Sequence, residues 1–186
     1  IATVVNFPSG EEPVADMITM TETAVAEGAD EIDMVIPYRP FLEGEEEDVH
    51  SRVARVKAAA GPARVKAILE TGILEDPERI RRAAEIAIEG GADFIKTSTG
   101  KVAVNATLEA ARMMLEVIRD HGPGVGLKPA GGVKTTVQAA AYLDLADEIM
   151  GEGWASPATF RFGASGLLDA LLATIEGREA AAAEGY

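Results

Sequence analysis

The spacing of short apolar segments along the chain is the feature that most restricts its fold. Strand-like segments recur at intervals of roughly thirty residues, and stretches with helical spacing of apolar residues separate them. The six predicted strands lie near residues 2–7, 31–36, 64–70, 93–98, 125–129 and 160–164. Because strands that alternate with helices form βαβ units, the pattern predicts an α/β fold with a parallel sheet.

Capping residues mark the helices between these strands. Asp76 and Pro77 precede one helical stretch and Gly90–Gly91 follow it, while Thr107 opens a second helix and Ser165 opens the last. Side-chain oxygens at such positions accept hydrogen bonds from the free N–H groups of the first helical turn, and proline is favoured at its first position. The helix boundaries therefore agree with the strand pattern.

Alternation within the strands favours a closed TIM (β/α)8 barrel over an open doubly wound sheet. In residues 31–36 (EIDMVI) and 64–70 (RVKAILE), apolar positions alternate with positions that include charged ones. A barrel places such charges inside, near the carboxyl ends of its strands, whereas central strands of an open sheet are more uniformly apolar. Six units fall short of eight, so we expect the first two βα units to be missing from this chain. The barrel domain is expected at residues 1–176 and a flexible tail at 177–186.

Composition excludes several classes of protein. The 186 residues, 47% of them hydrophobic, correspond to one domain with a sizeable core. The absence of Cys excludes a disulfide framework and a thiol nucleophile, and the net charge of −14 argues against a nucleic-acid partner. No apolar run approaches ~18 residues and no secretory leader opens the chain, so we expect no membrane partner and a cytoplasmic location.

Two lysines at equivalent places on neighbouring strands are the candidate catalytic groups. A lone lysine at a strand end is ordinarily a surface residue, but Lys96 and Lys128 follow the same pattern in the fourth and fifth predicted strands. An amine attacks a carbonyl only when it is neutral, and a nearby cation together with burial lowers its pKa. We expect one lysine to attack and the other to tune it. Asp33, on the charged face of the second strand, either shuttles protons or forms a buried ion pair with a lysine.

Three glycine-containing segments that follow strands predict a phosphate site: STGK, PAGGVK and FGASG. Backbone N–H groups of such loops cradle phosphate, and in barrels this site commonly follows the seventh and eighth strands. The predicted binding residues are Thr99, Gly100, Lys101, Gly131, Gly132, Val133, Lys134, Gly163, Ser165 and Gly166. The combination indicates a Schiff-base enzyme that acts on a phosphorylated sugar.

A metal-dependent aldol reaction is the less favoured alternative. Zinc sites of this kind use several histidine ligands, and the chain has only His50 and His121, both in helical stretches. We therefore expect no metal.

These segments resemble those of the 2-deoxyribose-5-phosphate aldolases, a family of class I aldolases with a TIM-barrel fold. The resemblance covers essentially the whole chain and is carried by NFP, GADEIDMVIPYR, ETG, GADFIKTSTGKVAVNAT, GLKPAGGVK and RFGASGLL. It implies that Lys96 forms the Schiff base, that Lys128 perturbs it and that Asp33 belongs to the proton relay. The implied reaction is reversible cleavage of 2-deoxy-D-ribose 5-phosphate to D-glyceraldehyde 3-phosphate and acetaldehyde, without metal or organic cofactor.

The resemblance also implies roles for the loops and for the end of the chain. Gly100, Lys101, Gly131, Gly132, Gly163 and Ser165 match positions that line the phosphate pocket. Tyr186 matches a tyrosine on a mobile tail that assists proton transfer, although it could equally be part of a disordered terminus. Gly166 and Lys134 depart from the Ser and Arg that are common in the family. Family likeness further implies a homo-oligomer, a dimer or larger.

Three alternatives remain open from the sequence. The first is a phosphosugar-binding barrel without lyase activity. The second is an incomplete, inactive barrel fragment, since six strands alone would leave two unpaired sheet edges. The third is another class I aldolase or a transaldolase, which would share the lysine nucleophile but not this set of loops.

Overall fold

Strands and helices alternate along the chain, and the strands form one parallel sheet. The computed structural model describes residues 1–122 and 124–178. The strands are β1 (Ala2–Val5), β2 (Glu31–Val35), β3 (Arg64–Ile68), β4 (Phe94–Lys96) and β5 (Gly126–Lys128). They pair in the order β1-β2-β3-β4-β5, and every pairing is parallel. The predicted α/β class is therefore confirmed.

The helices follow the predicted pattern between the strands. They are α1 (Val14–Ala26), α2 (Tyr38–Leu42), α3 (Glu46–Ala60), α4 (Thr71–Leu74), α5 (Pro77–Glu89), α6 (Leu108–His121), α7 (Thr136–Met150) and α8 (Leu167–Ile175). Helices α1, α3, α5 and α6 contact strands of the sheet. Apolar strand residues such as Ile32, Val65 and Leu127 are fully buried in the shared core. Because side chains alternate between the faces of a strand, the neighbouring positions point to the other face, which carries the charged groups.

The sixth predicted strand is present only in part. Isolated parallel bridges join Leu127 to Phe160 and Ala130 to Gly163. The N–H of Gly163 donates to the carbonyl oxygen of Pro129 at 2.8 Å. Pro129 lies between the two bridged positions and has no N–H to donate, so a continuous ladder cannot form there. Residues 160–164 thus occupy the place beside β5 without forming a regular strand.

Two of the predicted helix caps are confirmed and one is wrong. The Asp76 carboxylate accepts from the N–H groups of Glu78 and Arg79 at 2.9 and 3.1 Å, and the Thr107 hydroxyl accepts from the N–H of Ala110 at 3.1 Å. Ser165 does not cap α8. The N-cap is Gly166, and no side chain caps that helix. Because the helix begins one residue later than expected, the Ser165 side chain is released from a capping role.

Glycine at position 126 is required by a close contact across the sheet. Gly126 lies opposite Phe94 in the β4–β5 register, and a Cβ at this position would lie 2.2 Å from Cε1 of the Phe94 ring. The ring is 1% exposed and therefore has little room to move. β5 consequently depends on the absence of a side chain at its first residue.

We expect Gly126→Ala to lower the free energy of unfolding by about 1–3 kcal/mol, the usual cost of overfilling a packed core. The matched control is Gly124→Ala, because no heavy atom lies within 4 Å of a Cβ at that position. Its effect should stay within about 0.5 kcal/mol. Urea unfolding followed by circular dichroism measures both, and equal midpoints for the two variants would contradict the packing account.

Candidate active site

Three lysines converge on the carboxylate of Asp33 on the polar face of the sheet. Nζ of Lys66 donates to Oδ1 of Asp33 at 2.9 Å. Nζ of Lys96 and Nζ of Lys128 both donate to Oδ2, at 2.8 and 2.5 Å. Both nitrogens contact the same oxygen atom, so the Lys96 and Lys128 amines lie close to each other. The structure thus brings together Asp33, Lys96 and Lys128, three of the residues predicted as catalytic.

The register of the parallel strands produces this convergence. Asp33 lies opposite Lys66, and Lys96 lies opposite Lys128, so each pair points to the same face of the sheet. Lys96 is in register with Ile68, two residues beyond Lys66 on β3. The Lys96 side chain therefore starts one inward layer above Asp33, and its length allows the amine to reach the carboxylate.

Burial makes the charges in this cluster interact strongly. Asp33, Lys66 and Lys96 are 3%, 0% and 7% exposed. Burial raises the pKa of Asp33, but the positive charges of Lys96 and Lys128 outweigh it and lower that pKa from 3.8 to about 2. Burial also lowers the pKa of Lys96. Asp33 opposes that change, whereas the charges of Lys128 and Lys66 add to it.

The cluster contains more potential cations than anions. Besides Asp33, the carboxylate of Glu31 lies 2.6 Å from Nζ of Lys66, and Arg161 lies 3.3 Å from the same carboxylate. Three amines therefore share two carboxylates. A buried charge without a partner is costly, so the excess of cations over the two carboxylates favours loss of a proton from one of the amines. Burial and the charges of Lys128 and Lys66 lower the pKa of Lys96, which also lines the cavity described below, and Lys96 is therefore the candidate nucleophile.

Lys66 is a site residue that the sequence analysis did not single out. It is fully buried, it pairs with both Asp33 and Glu31, and its amine lies 5.9 Å from the centre of the Phe94 ring. One signal was present in the sequence, since Lys66 occupies an inward position of RVKAILE. Its partner could not be read from that position alone, because the β2–β3 register decides which side chain it faces.

A cavity of about 260 Å³ opens beside Lys96 and Lys128. Its other lining residues are Thr99, Gly100, Lys101, Ala130, Gly131, Gly132, Val133, Lys134, Gly163, Ala164 and Ser165. All of the predicted phosphate-binding residues except Gly166 thus meet around one cavity. Gly166 lies outside this lining and forms the N-cap of α8.

The loops around this cavity carry backbone donors with no protein acceptor. Within the part of the chain that the structure describes, no acceptor is found for the N–H groups of Gly100, Gly132, Val133, Ala164 and Ser165. Gly100, Gly131 and Gly132 have φ values of +84°, +80° and +84°, a region that glycine adopts without strain. Free N–H groups on such loops bind anions, and Lys101 and Lys134 add positive charge.

The remaining residues considered from the sequence are Tyr186 and the two histidines. Tyr186 is outside the described residues. His50 lies in α3 and His121 ends α6. Among the described residues, no group of three or more His, Asp or Glu side chains is arranged to hold a metal ion. None of the helices in the same part of the chain has the length and apolar content needed to cross a membrane.

A buried lysine and a half-buried one beside a cavity lined by glycine-containing loops, on the carboxyl ends of parallel strands, are typical of enzymes that attack carbonyl groups through an amine. The model of the DeoC/LacD family aldolases matches residues 1–172. The chain is also 61% identical over 188 residues to the deoxyribose-phosphate aldolase of Agrobacterium fabrum, covering 100% of this chain and 73% of that protein. The chain therefore belongs to the DeoC/LacD family of aldolases.

Solved structures agree with this assignment. A Toxoplasma gondii protein described as a deoxyribose-phosphate aldolase superposes with a TM-score of 0.89 at 30% identity, over 97% of this chain and 72% of that one. A deoxyribose phosphate aldolase from Aeropyrum pernix, described as tetrameric, gives a TM-score of 0.76 at 24% identity over 94% and 67% of the two chains. The latter likeness concerns the fold alone. The parallel sheet is thus of the TIM-barrel type found in these aldolases.

We expect Lys128→Leu to raise the pKa of Lys96, because the positive charge of Lys128 lowers it. Reaction of the Lys96 amine with an amine-specific ester should then require a higher pH than in the wild type. Peptide mass spectrometry after competitive labelling across a pH series measures the midpoint. Lys57→Leu is the matched control, since Lys57 pairs with Asp93 and takes no part in the cluster. A Lys96 midpoint that is the same in both variants would contradict the tuning role.

Proposed function

We propose that the protein reversibly cleaves 2-deoxy-D-ribose 5-phosphate to D-glyceraldehyde 3-phosphate and acetaldehyde through a Schiff base on Lys96. The observation that carries the proposal is the shared contact of Lys96 and Lys128 with one oxygen of Asp33 beside a cavity lined by Gly-rich loops. The activity named for the Agrobacterium fabrum relative supports the same reaction.

The proposed phosphate site orients the substrate. The unpaired N–H groups of Gly100, Gly132 and Ser165 offer hydrogen bonds to the phosphate oxygens, and Lys101 and Lys134 supply positive charge. Once the phosphate is bound, the open-chain sugar extends through the same cavity towards Lys96. Holding the aldehyde beside the amine converts an encounter between two molecules into a reaction within one complex.

The first chemical step joins Lys96 to the sugar. The neutral amine attacks C1 of the aldehyde, a C–N bond forms, and the carbonyl oxygen takes up a proton to give a carbinolamine. Loss of water then leaves a protonated imine. Lys128 favours the neutral form of Lys96 before the attack, and Asp33 is within hydrogen-bond reach to relay protons to and from the carbinolamine.

The second step breaks the bond between C2 and C3. A proton leaves the C3 hydroxyl, the C2–C3 electron pair moves towards the imine, and D-glyceraldehyde 3-phosphate departs with an enamine left on Lys96. The enamine carbon then takes up a proton, and water releases acetaldehyde and the free amine. We propose that Tyr186 assists this protonation. The support for its role is the family resemblance of the terminal tyrosine.

We further propose that two additional βα units complete an eight-stranded barrel. β1 pairs only with β2 in the described residues, and Ile1 on this edge is 81% exposed. At the other end of the sheet, Leu168 and Ile175 of α8 are 64% and 80% exposed. Two units between these elements would pair the strand edge and cover the apolar side chains. The barrel domain at 1–176 and the tail at 177–186 remain predictions.

We also propose that the protein acts as a homo-oligomer in the cytoplasm. The support for oligomerisation is the likeness of the sequence to the aldolase family. No nucleic-acid partner is proposed, because the net charge is −14.

Acetaldehyde and sodium borohydride should attach one ethyl group to Lys96, since reduction traps the imine as a stable secondary amine. Peptide mass spectrometry locates the adduct. Lys96→Ala should lose it, and the control Lys57→Met should keep it. Absence of the adduct in the wild type, with binding of the phosphorylated sugar intact, would instead support a non-catalytic phosphosugar-binding protein.

Lys134→Met should weaken recognition of the phosphate selectively. We expect kcat/KM for 2-deoxy-D-ribose 5-phosphate to fall about tenfold or more relative to that for 2-deoxy-D-ribose, as loss of one charge-assisted contact predicts. Steady-state kinetics on both sugars measures the ratio. Equal losses on the two sugars would remove Lys134 from the phosphate site.

A further inference from the structure

The Glu70 carboxylate is fully buried at the end of β3. The residue is 0% exposed. Its backbone has φ +58° and ψ +57°, the left-handed region, which is uncommon for a residue with a long side chain. A buried carboxylate in this state needs hydrogen-bond donors.

One residue of the loop after β4 supplies both donors. Thr99 donates its N–H to Oε1 of Glu70 at 3.1 Å and its hydroxyl to Oε2 at 2.5 Å. The hydroxyl is the donor in the second contact, so its hydrogen points to Glu70. The Thr99 oxygen then offers its lone pairs elsewhere, and it accepts the N–H of Lys101 at 3.0 Å.

These contacts decide which donor of the loop remains for a ligand. The N–H groups of Thr99 and Lys101 are both occupied, whereas the N–H of Gly100 between them has no acceptor in the described part of the chain. Gly100 lines the cavity, and Glu70 does not. The Glu70 carboxylate thus restrains the peptide groups on both sides of the free donor without touching the cavity.

The two residues after Glu70 hold the same loop at further points. The N–H of Thr71 donates to the carbonyl oxygen of Thr97 at 2.9 Å. A Cβ on Gly72 would lie 1.9 Å from the carbonyl oxygen of Val104, so the chain at Gly72 packs directly against the far end of the loop. The ETG segment at the end of β3 therefore forms a continuous support for the chain between Lys96 and Val104.

We propose that Glu70 is a positioning residue for phosphate recognition, acting through Thr99 to aim the N–H of Gly100 into the cavity. The inference deepens the proposed function and rests on its phosphate site. Glu70 lies outside the cavity, and its carboxylate fixes the geometry of the loop that carries Gly100. A change at Glu70 should therefore affect phosphate binding without affecting the chemistry at Lys96.

The test is Glu70→Gln in the intact protein. The shape is conserved, but the amide NH2 group cannot accept the hydroxyl hydrogen of Thr99, so the hydrogen-bond direction in the loop is reversed. We expect the ratio of kcat/KM for 2-deoxy-D-ribose 5-phosphate to that for 2-deoxy-D-ribose to fall about tenfold or more, mainly through KM. Trapping of acetaldehyde on Lys96 should change less than about twofold, since acetaldehyde has no phosphate.

Matched variants separate this role from general damage to the fold. Glu75→Gln removes an exposed carboxylate nearby and should leave the ratio unchanged. Thr99→Val should lower the ratio as Glu70→Gln does, and the double variant should lose little more, because both changes remove one interaction. If Glu70→Gln does not fold, the comparison of Thr99→Ser with Thr99→Val tests the proposal instead. Thr99→Ser keeps the hydroxyl and should keep the wild-type ratio, whereas Thr99→Val should lower the ratio.

Two outcomes would overturn the proposal. One is an unchanged ratio in Glu70→Gln, whether neither sugar or both sugars equally lose activity, and the other is equal ratios in Thr99→Ser and Thr99→Val. A lowered ratio in Lys134→Met together with an unchanged ratio in Glu70→Gln would remove the positioning role while leaving the phosphate site in place. Failure of wild-type trapping at Lys96 would instead count against the proposed function.

Discussion

The carboxylate of Asp33 accepts hydrogen bonds from three lysines, and the rest of the site is arranged around that contact. Removing one partner of a buried ion pair typically costs about 3–5 kcal/mol, because the remaining charge is left without compensation. The contact requires β2, β3, β4 and β5 to keep their register, since each of these strands contributes one side chain to it. The lowered pKa of Lys96 follows first from burial, and the positive charges of Lys128 and Lys66 add to it.

The amine cluster and the glycine-containing loops meet because both are built at the carboxyl ends of parallel strands. β4 ends in Lys96 and continues into the loop with Gly100, while β5 ends in Lys128 and continues into the loop with Gly131 and Gly132. Each strand thus supplies one amine and one set of backbone donors. Glu70, at the end of β3, holds the first of these loops, so three neighbouring strands define the geometry of one cavity.

Several features were predictable from sequence because they depend on local chemistry or on strand order. The Asp76 and Thr107 caps need only residues within one helical turn, and the meeting of Lys96 with Lys128 needs only two consecutive parallel strands. The Ser165 cap was wrong because helix geometry begins one residue later, at Gly166. Lys66 was missed because a single lysine in a strand does not reveal its partner across the sheet.

The sequence by itself determined the α/β class, the inward positions of the charged residues and the loops that follow each strand. The periods of helices and strands and the conformational freedom of glycine are local properties, and the order of residues expresses them directly. Only the tertiary structure decided that Asp33 receives three amines, that Lys66 is one of them and that Glu70 faces Thr99. Those contacts depend on strand register and on side-chain reach between distant parts of the chain, which no local pattern records.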